Sequence, residues 1–472
     1  MSIQVGSARS ASPVSQSPQR RPATRIPAWW RDLTGATAWM LVLFVVALWV
    51  AGGGLTAFGS AAAGLTSLGR LTGLVASVLM LLQVLLMARI PMVEQAWGQD
   101  ELARVHRLVG FTSFNLMIAH IVLIIAGYNL ADASHGFVGT FLDQVLNAPG
   151  MLLATAGTVA LCMVVVTSVR AARRRLRYES WHLLHLYAYL GTGLALPHQL
   201  WTGADFTRST TATVFWWGVY GATLAAVLVF RVLVPVVRSY RHSLVVSHVV
   251  QESPTVTSVH LRGRNLHRLT ARGGQFFSWR FLDGRGWTRA NPYSLSAAPD
   301  GHSLRLTAAS VGDSSSRLAT LRPGTRVLVE GPYGRLHAGV KVAHRNVLIG
   351  AGIGITPLRA LLEELPPGRD ETVVIHRISR ADDAVLAHEL VALARARGGR
   401  VHGVLGHRNP NGGWQPAGAP LPDHAALLQL VPDIAQRDVF VCGPPAWIDQ
   451  VVEAALDAGV PAAALHTERF SY

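Results

Sequence analysis

Four histidines, His106, His120, His185 and His198, sit inside apolar segments of the chain. An ionisable ring in a hydrocarbon layer is costly and usually has a partner, and histidines on two facing helices can hold a flat metal macrocycle between them. His106 and His120 are 14 positions apart. On an ideal helix that is roughly 21 Å along the axis and within about 40° of one face. The spacing predicts two stacked haems, with His106 paired to His185 near one side of a membrane and His120 to His198 near the other. His185 and His198 are 13 positions apart, about 140° out of phase. Pro197, which removes a backbone donor, predicts a kink or wide turn that brings the second ring round. His182 is a competing ligand on that segment, and otherwise a hydrogen-bond partner for a haem propionate or for backbone.

The elements that must carry these residues are membrane spans. Half of the chain (50%) is hydrophobic, and the apolar runs crowd into the first 235 of 472 positions. Runs at about 37–58, 66–88, 104–127, 150–169, 180–201 and 212–235 are each long enough to span. Residues 1–34, rich in Ser, Pro and Arg, read as a disordered tail, and the first run lacks a small-residue cleavage site, so it reads as an uncleaved first helix. Arg89, Arg104 and Arg107 share one side with Arg170, Arg173, Arg174, Arg175 and Arg177, whereas 52–69 and 128–148 hold no Lys or Arg. Because positive loops stay inside, both termini are expected in the cytoplasm of a multi-pass cell-membrane protein.

The formal charge of +15 comes almost wholly from arginine, Lys341 being the only lysine. In a polytopic protein that balance points to the anionic face of the lipid bilayer and not to nucleic acid. Cys162 and Cys442 are too distant and too few for a disulfide framework or a zinc site. Arg70, at the outer end of the second run, is either a snorkelling residue or a group that neutralises an outer propionate or an anionic acceptor. Asp132, His135, Asp143 and Asp205 read as solvated outer-loop residues.

From about 243 the pattern changes to short alternating segments, "SLVVSHVVQ", "TVTSVHLRG", "QFFSWRF" and "SLRLTAAS", separated by turn residues. They predict an all-β barrel of about a hundred residues. After Lys341, buried strands such as "RNVLIGAG", "ETVVIHRI" and "DVFVCG" alternate with helical segments, the pattern of a doubly wound parallel sheet. The expected fold class is a multidomain membrane protein. A tail (1–34) precedes a six-helix transmembrane bundle (35–240), an antiparallel β-barrel domain (241–340) and an α/β Rossmann-like domain (341–472).

The second half also carries "NPYSLS" at 291–296, "GDSSSRL" at 312–318, "GPYG" at 331–334, "GAGIGITP" at 350–357, "VCGPP" at 441–445 and the ending "HTERFSY". Gly350, Gly352 and Gly354 follow a strand and precede a helix, so backbone can approach a dinucleotide, and Thr356 with Pro357 starts that helix. In this order the set resembles the flavin and nicotinamide module of ferredoxin–NADP reductases, over about 243–472. Joined to six spans with paired histidines, the whole resembles the NADPH oxidase and ferric reductase family of transmembrane electron carriers.

The resemblance implies FAD and NADPH, or NADH, as cofactors beside two haem b groups. It implies that Tyr293 packs against the flavin while Ser294 and Ser296 hydrogen-bond its ring or ribityl chain. Asn291, before Pro292, stands where relatives usually carry His or Arg, and Arg289 is the nearest cation. Ser315 and Ser316 open a short helix suited to a pyrophosphate. Cys442, Gly443 and Pro444 end a strand beside the nicotinamide. Ser379 and Arg380, with Arg377 close by, would meet a 2′-phosphate, and Phe470 or Tyr472 would cover the flavin ring.

The function implied is a transmembrane oxidoreductase that takes electrons from cytoplasmic NAD(P)H through FAD and two haems to an acceptor outside, a ferric chelate or oxygen. The alternatives are an electron donor to a partner redox protein and, from another class, a nucleotide-sensing transporter whose histidines relay protons.

Overall fold

The computed structural model describes residues 29–469 except 174, 177, 285–288, 369–370 and 411. The chain divides into two compact units, one over Ile26–Val237 and the other containing Arg238–Tyr472.

In the first unit the main helices are α1 (Trp29–Ala51), α2 (Ala61–Leu86), α3 (Gln99–Ala131), α4 (Met151–Ser168) and α5 (Tyr178–Trp201). A sixth, α6, covers Thr210–His242 and runs past the end of the unit. Starts are set locally: Ser60 Oγ accepts from Ala63 N at 3.2 Å before α2, and Ser209 Oγ from Ala212 N at 3.1 Å before α6. Both satisfy amide donors that a helix N-terminus leaves open. Helix α2 packs along α3, and α4 along α5. Large apolar side chains such as Trp39, Phe111, Val159 and Val214 are left on the outside, as a hydrocarbon surround requires.

Among the described residues, five helices are long and apolar enough to cross a membrane: α1, α2, α3, α4 and α6. The expectation of six spans differs at α5. That segment is helical throughout, but Glu179, three histidines and Gln199 reduce its apolar character. The helix runs through Pro197 to Trp201, without the wide turn that was one of the two expectations there.

In the second unit, β1 (Leu244–Ser253), β2 (Val256–Arg262), β3 (Phe276–Phe281), β4 (Asn291–Ser294), β5 (Ser303–Ala309) and β6 (Arg326–Tyr333) form an antiparallel sheet of order β4-β3-β6-β1-β2-β5. Alternation decides its core: Phe277, Trp279 and Phe281 of β3 face inward. A single bridge, Leu295 to Leu306, follows β4 and meets β5. The sequence pattern missed β4 and β6, whose prolines and glycines obscure the alternation.

A parallel sheet follows, of order β11-β10-β7-β8-β9, from β7 (Arg345–Ala351), β8 (Thr372–Ile378), β9 (Arg400–Leu405), β10 (Arg437–Gly443) and β11 (Leu465–Arg469). Helices α7 (Ile355–Glu364), α8 (Ala387–Ala396), α9 (Asp423–Leu430) and α10 (Pro445–Asp457) bury apolar faces in two separate core clusters with it. Strands β9 and β11 were not anticipated, since "RVHGVL" is only half-buried and "LHTER" is a polar edge.

Candidate functional site

Helix α3 brings His106 and His120 against α5. His106 faces His185 with ring centroids 6.0 Å apart, and His120 faces His198 at 6.5 Å. His182 lies beside Trp181, 6.5 Å between centroids, and His185 is the residue that meets His106.

Each of the four rings is held by its Nδ1. His106 Nδ1 donates to the Gln83 carbonyl at 3.1 Å, His120 to the Gly69 carbonyl at 2.7 Å and His198 to the Ala195 carbonyl at 2.7 Å. His185 Nδ1 is 3.3 Å from Ser168 Oγ. A carbonyl only accepts, so it fixes the proton on Nδ1 and leaves a lone pair at Nε2. His198 thus turns through its side chain, reaching the carbonyl three residues back while the helix stays intact. Metal-binding histidines are commonly oriented in this way, by a bond from the other ring nitrogen. Two imidazoles on opposite sides of one metal ion, with metal–nitrogen bonds of about 2 Å, hold their centroids about 6 Å apart. The centroid separations of the two pairs, 6.0 and 6.5 Å, match that distance.

A cavity of about 200 Å³ lies beside the second pair, lined by His120, His198, Met80, Met117, Gln199 and Tyr220. A Cβ added at Gly73 would lie 2.5 Å from His120 Nδ1, so only glycine lets that ring lie against α2. Tyr220 OH donates to Gln199 Oε1 at 2.5 Å, and Gln199 Nε2 donates to Ser77 Oγ at 3.1 Å, which satisfies polar groups that burial would otherwise penalise. Arg70 and Asp205 form a two-pronged ion pair, Nε to Oδ2 at 2.7 Å with Nη2 on Oδ1. Asp205 is only 8% exposed, not a solvated loop residue, and its carboxylate already answers the arginine's charge. No group of three or more metal-ligating His, Cys, Asp or Glu side chains occurs among the described residues.

In the second unit, Ser294 fits the flavin reading through an orphaned group: its Oγ is buried with no hydrogen-bond partner among the described residues. Next to it Tyr293 is half-buried, its phenol pushed up to about 12 by desolvation. Pro292 is exposed and Asn291 half-buried on the same strand. Ser296 points elsewhere. It is fully buried, its Oγ accepts from Arg305 Nε at 3.1 Å and bonds Thr307 at 2.7 Å, and Arg305 and Arg359 both donate to its carbonyl. Arg305 also forms a forked pair with Glu389 at 2.9 Å, a knot that joins the antiparallel sheet to α7 and α8. Sequence spacing held no signal for it. Ser315 closes the four-residue helix Asp313–Ser316 by accepting from Val311 N and Gly312 N, and Ser316 is exposed.

The glycine-rich turn joins β7 to α7. A Cβ on Gly354 would lie 2.3 Å from the Cys442 carbonyl, so glycine is what lets the turn close over β10. Gly350, next to last in β7, pairs beside Cys442, Gly352 begins the turn, and Thr356 and Pro357 are buried in the first turn of α7. His376, on β8 below, donates from Nε2 to the Gly352 carbonyl at 3.2 Å, and burial lowers its pKa to about 4. Cys442 is fully enclosed, and burial pushes its thiol up, as does the Glu468 carboxylate. It packs there with Gly443, while Pro444 caps α10. Arg377 is buried, with Nη1 on the Ile378 and Gly406 carbonyls and Nη2 on that of His407. Ser379 and Arg380 are exposed at the carboxyl edge of the sheet. Phe470 and Tyr472 lie outside the described residues.

Helices long and apolar enough to cross a membrane thus precede an antiparallel sheet and a parallel α/β sheet with a glycine-rich turn. Residues 72–196 match the family described as ferric reductase like transmembrane component, and 348–453 match the oxidoreductase NAD-binding domain. The chain thus carries a match to each of these two domain families. The ferredoxin reductase component of 3-ketosteroid-9-alpha-monooxygenase from Rhodococcus rhodochrous is 28% identical over 235 residues, 48% of this chain and 64% of that one. NADH-cytochrome b5 reductase 1 of Ajellomyces capsulatus is 33% identical over 166 residues, 33% of this chain and 52% of that one. The chain therefore covers less than two thirds of each of these relatives. The flavohem-like FAD/NAD binding domain of nitric oxide dioxygenase from Vibrio cholerae aligns over 48% of this chain and 98% of its own, at 24% identity and TM-score 0.40.

Proposed function

We propose that this protein carries electrons across the cell membrane, from cytoplasmic NAD(P)H through FAD and two b-type haems to an acceptor outside, a ferric chelate or oxygen. The observation that carries the reading is the common orientation of four histidines in two facing pairs, each held at Nδ1. Bound flavin accepts the two electrons of a hydride together, and haem iron accepts them one at a time.

The chain's own residues supply placement. His106 and His185 hold one haem, and His120 and His198 the other. The first pair lies toward Arg107 and Arg173, and positive loops make that the cytoplasmic end, with both termini on the same side. Ser294 offers its hydroxyl to the flavin, Tyr293 packs on it, and Phe470 or Tyr472 covers the ring until nicotinamide displaces it. Gly350, Gly352 and Gly354 give the dinucleotide room. Ser379 and Arg380, not the carbonyl-bound Arg377, meet a 2′-phosphate and favour NADPH.

A protein acceptor is the second reading, favoured by relatives named as a ferredoxin reductase component and a cytochrome b5 reductase. Oriented vesicles given NADPH separate the cases. Superoxide or ferrous iron appearing outside supports the first reading, and turnover only with an added redox protein supports the second. In either case His120→Ala is expected to leave flavin reduction intact and to stop outward transfer. Deleting 470–472 is expected to alter NADPH oxidation.

A further inference from the structure

Three of the four inward histidines present Nδ1 to a main-chain carbonyl, and His185 alone presents it to a side-chain hydroxyl, that of Ser168 at 3.3 Å. A hydroxyl oxygen can accept or donate. If Ser168 donated to Nδ1, the proton of a neutral His185 would sit on Nε2 and no lone pair would face a metal. Ligation by His185 therefore requires Ser168 to accept. The same oxygen lies 3.4 Å from the indole nitrogen of Trp181, which only donates. Ser168 Oγ is thus shared by two donors, both at long range. In the other pair, His120 and His198 each meet a main-chain carbonyl at the shorter distance of 2.7 Å, that of Gly69 also accepting from Thr72 Oγ1 at 2.8 Å.

Trp181 adds a second asymmetry. Its ring lies 5.1 Å from that of His185, and the Arg173 guanidinium carbon is 4.2 Å above the indole. At the opposite site, the nearby Arg70 is neutralised by Asp205. An imidazole whose N–H meets a strong acceptor is a more basic ligand and stabilises oxidised iron, whereas a weak acceptor and a neighbouring cation favour the reduced form.

We propose that Ser168 is a positioning residue that fixes the tautomer of His185 and, by sharing its oxygen with Trp181, makes the His106–His185 site the higher in midpoint potential of the two. The inference rests on the reading that each histidine pair binds a haem.

The test is a spectroscopic redox titration of the purified full chain, with haem counted per chain and His185→Ala used to assign the sites. The wild type is expected to show two haems with separate midpoints. Ser168→Ala removes the acceptor and moves the higher midpoint further up while the lower stays fixed. Ser168→Thr, which keeps the hydroxyl, restores it. Trp181→Phe keeps the packing but removes the competing N–H, strengthening the His185 bond, so the same midpoint moves down. Two haems with both midpoints unmoved in Ser168→Ala and Trp181→Phe overturn the role of Ser168 alone. So does a shift confined to the lower midpoint, or equal shifts of one sign in the two variants. A wild-type chain without haem overturns the underlying reading together with the inference.

Discussion

Gly73 of α2 and His120 of α3 are in such close contact that a Cβ on the glycine would stand 2.5 Å from the imidazole Nδ1. That nitrogen is the one bound to the Gly69 carbonyl, so the contact and the tautomer of His120 are controlled from the same helix. Gly73→Ala is expected to tilt the ring, to cost about 1–3 kcal/mol by overpacking, and to remove one of two haem signals. Gly218→Ala, where an added Cβ meets nothing within 4 Å, is the matched control. Haem per chain by pyridine haemochromogen checks both.

Arg70 and Asp205 form the second structural dependency near that site. Removing one partner of a buried ion pair strands the other charge, at about 3–5 kcal/mol, whereas replacing both with apolar residues is often near neutral. Arg70→Met alone is expected to lower the melting temperature more than the Arg70→Met, Asp205→Leu double variant. Thermal unfolding in detergent measures the difference, and equal losses in the two would remove the ion pair from the explanation.

Three histidines of the second unit, His260, His337 and His376, have pKa values lowered to about 4, in each case chiefly by burial. The unfolded chain binds these protons at its ordinary value near 6.5 and the folded chain does not, so stability falls as pH drops from about 6.5 toward 4. For His376, only 3% exposed, the full excursion is about 3 kcal/mol. His376→Gln is expected to flatten the slope of unfolding free energy against pH by close to one proton over that window. Denaturant melts at four pH values read the slope.

The nicotinamide preference is expected to follow Arg380 and not Arg377. Arg380→Ala should raise KM for NADPH about tenfold, roughly 1.4 kcal/mol of binding, with little change for NADH. Arg377→Ala takes a donor from four carbonyls and should reduce stability with either nucleotide. Steady-state kinetics beside a melting curve separate the two effects.

Much of this arrangement was legible in the sequence because its signals are periodic. Histidine spacing in apolar runs anticipated which rings meet, and the strand-turn-helix glycines located β7 and α7. What escaped is set by partners distant in the chain. Nothing near Ser296 reveals that Arg305 and Arg359 draw it inward, and nothing near Asp205 reveals Arg70. Pro197 suggested a kink or wide turn, whereas the helix runs on to Trp201 and His198 Nδ1 reaches the Ala195 carbonyl. Strand β4, with proline at its second position, hides its alternation while carrying the unpartnered Ser294 hydroxyl.

The central claim is that two histidine pairs each hold a haem and that electrons leave through the pair containing His120 and His198. Its most direct test is the haem content and low-temperature electron paramagnetic resonance spectrum of the purified chain and of His120→Ala and His106→Ala. Two low-spin, bis-histidine haems in the wild type, with a different one lost in each variant, is the predicted result. A wild type without haem, or variants that keep both, would contradict the account.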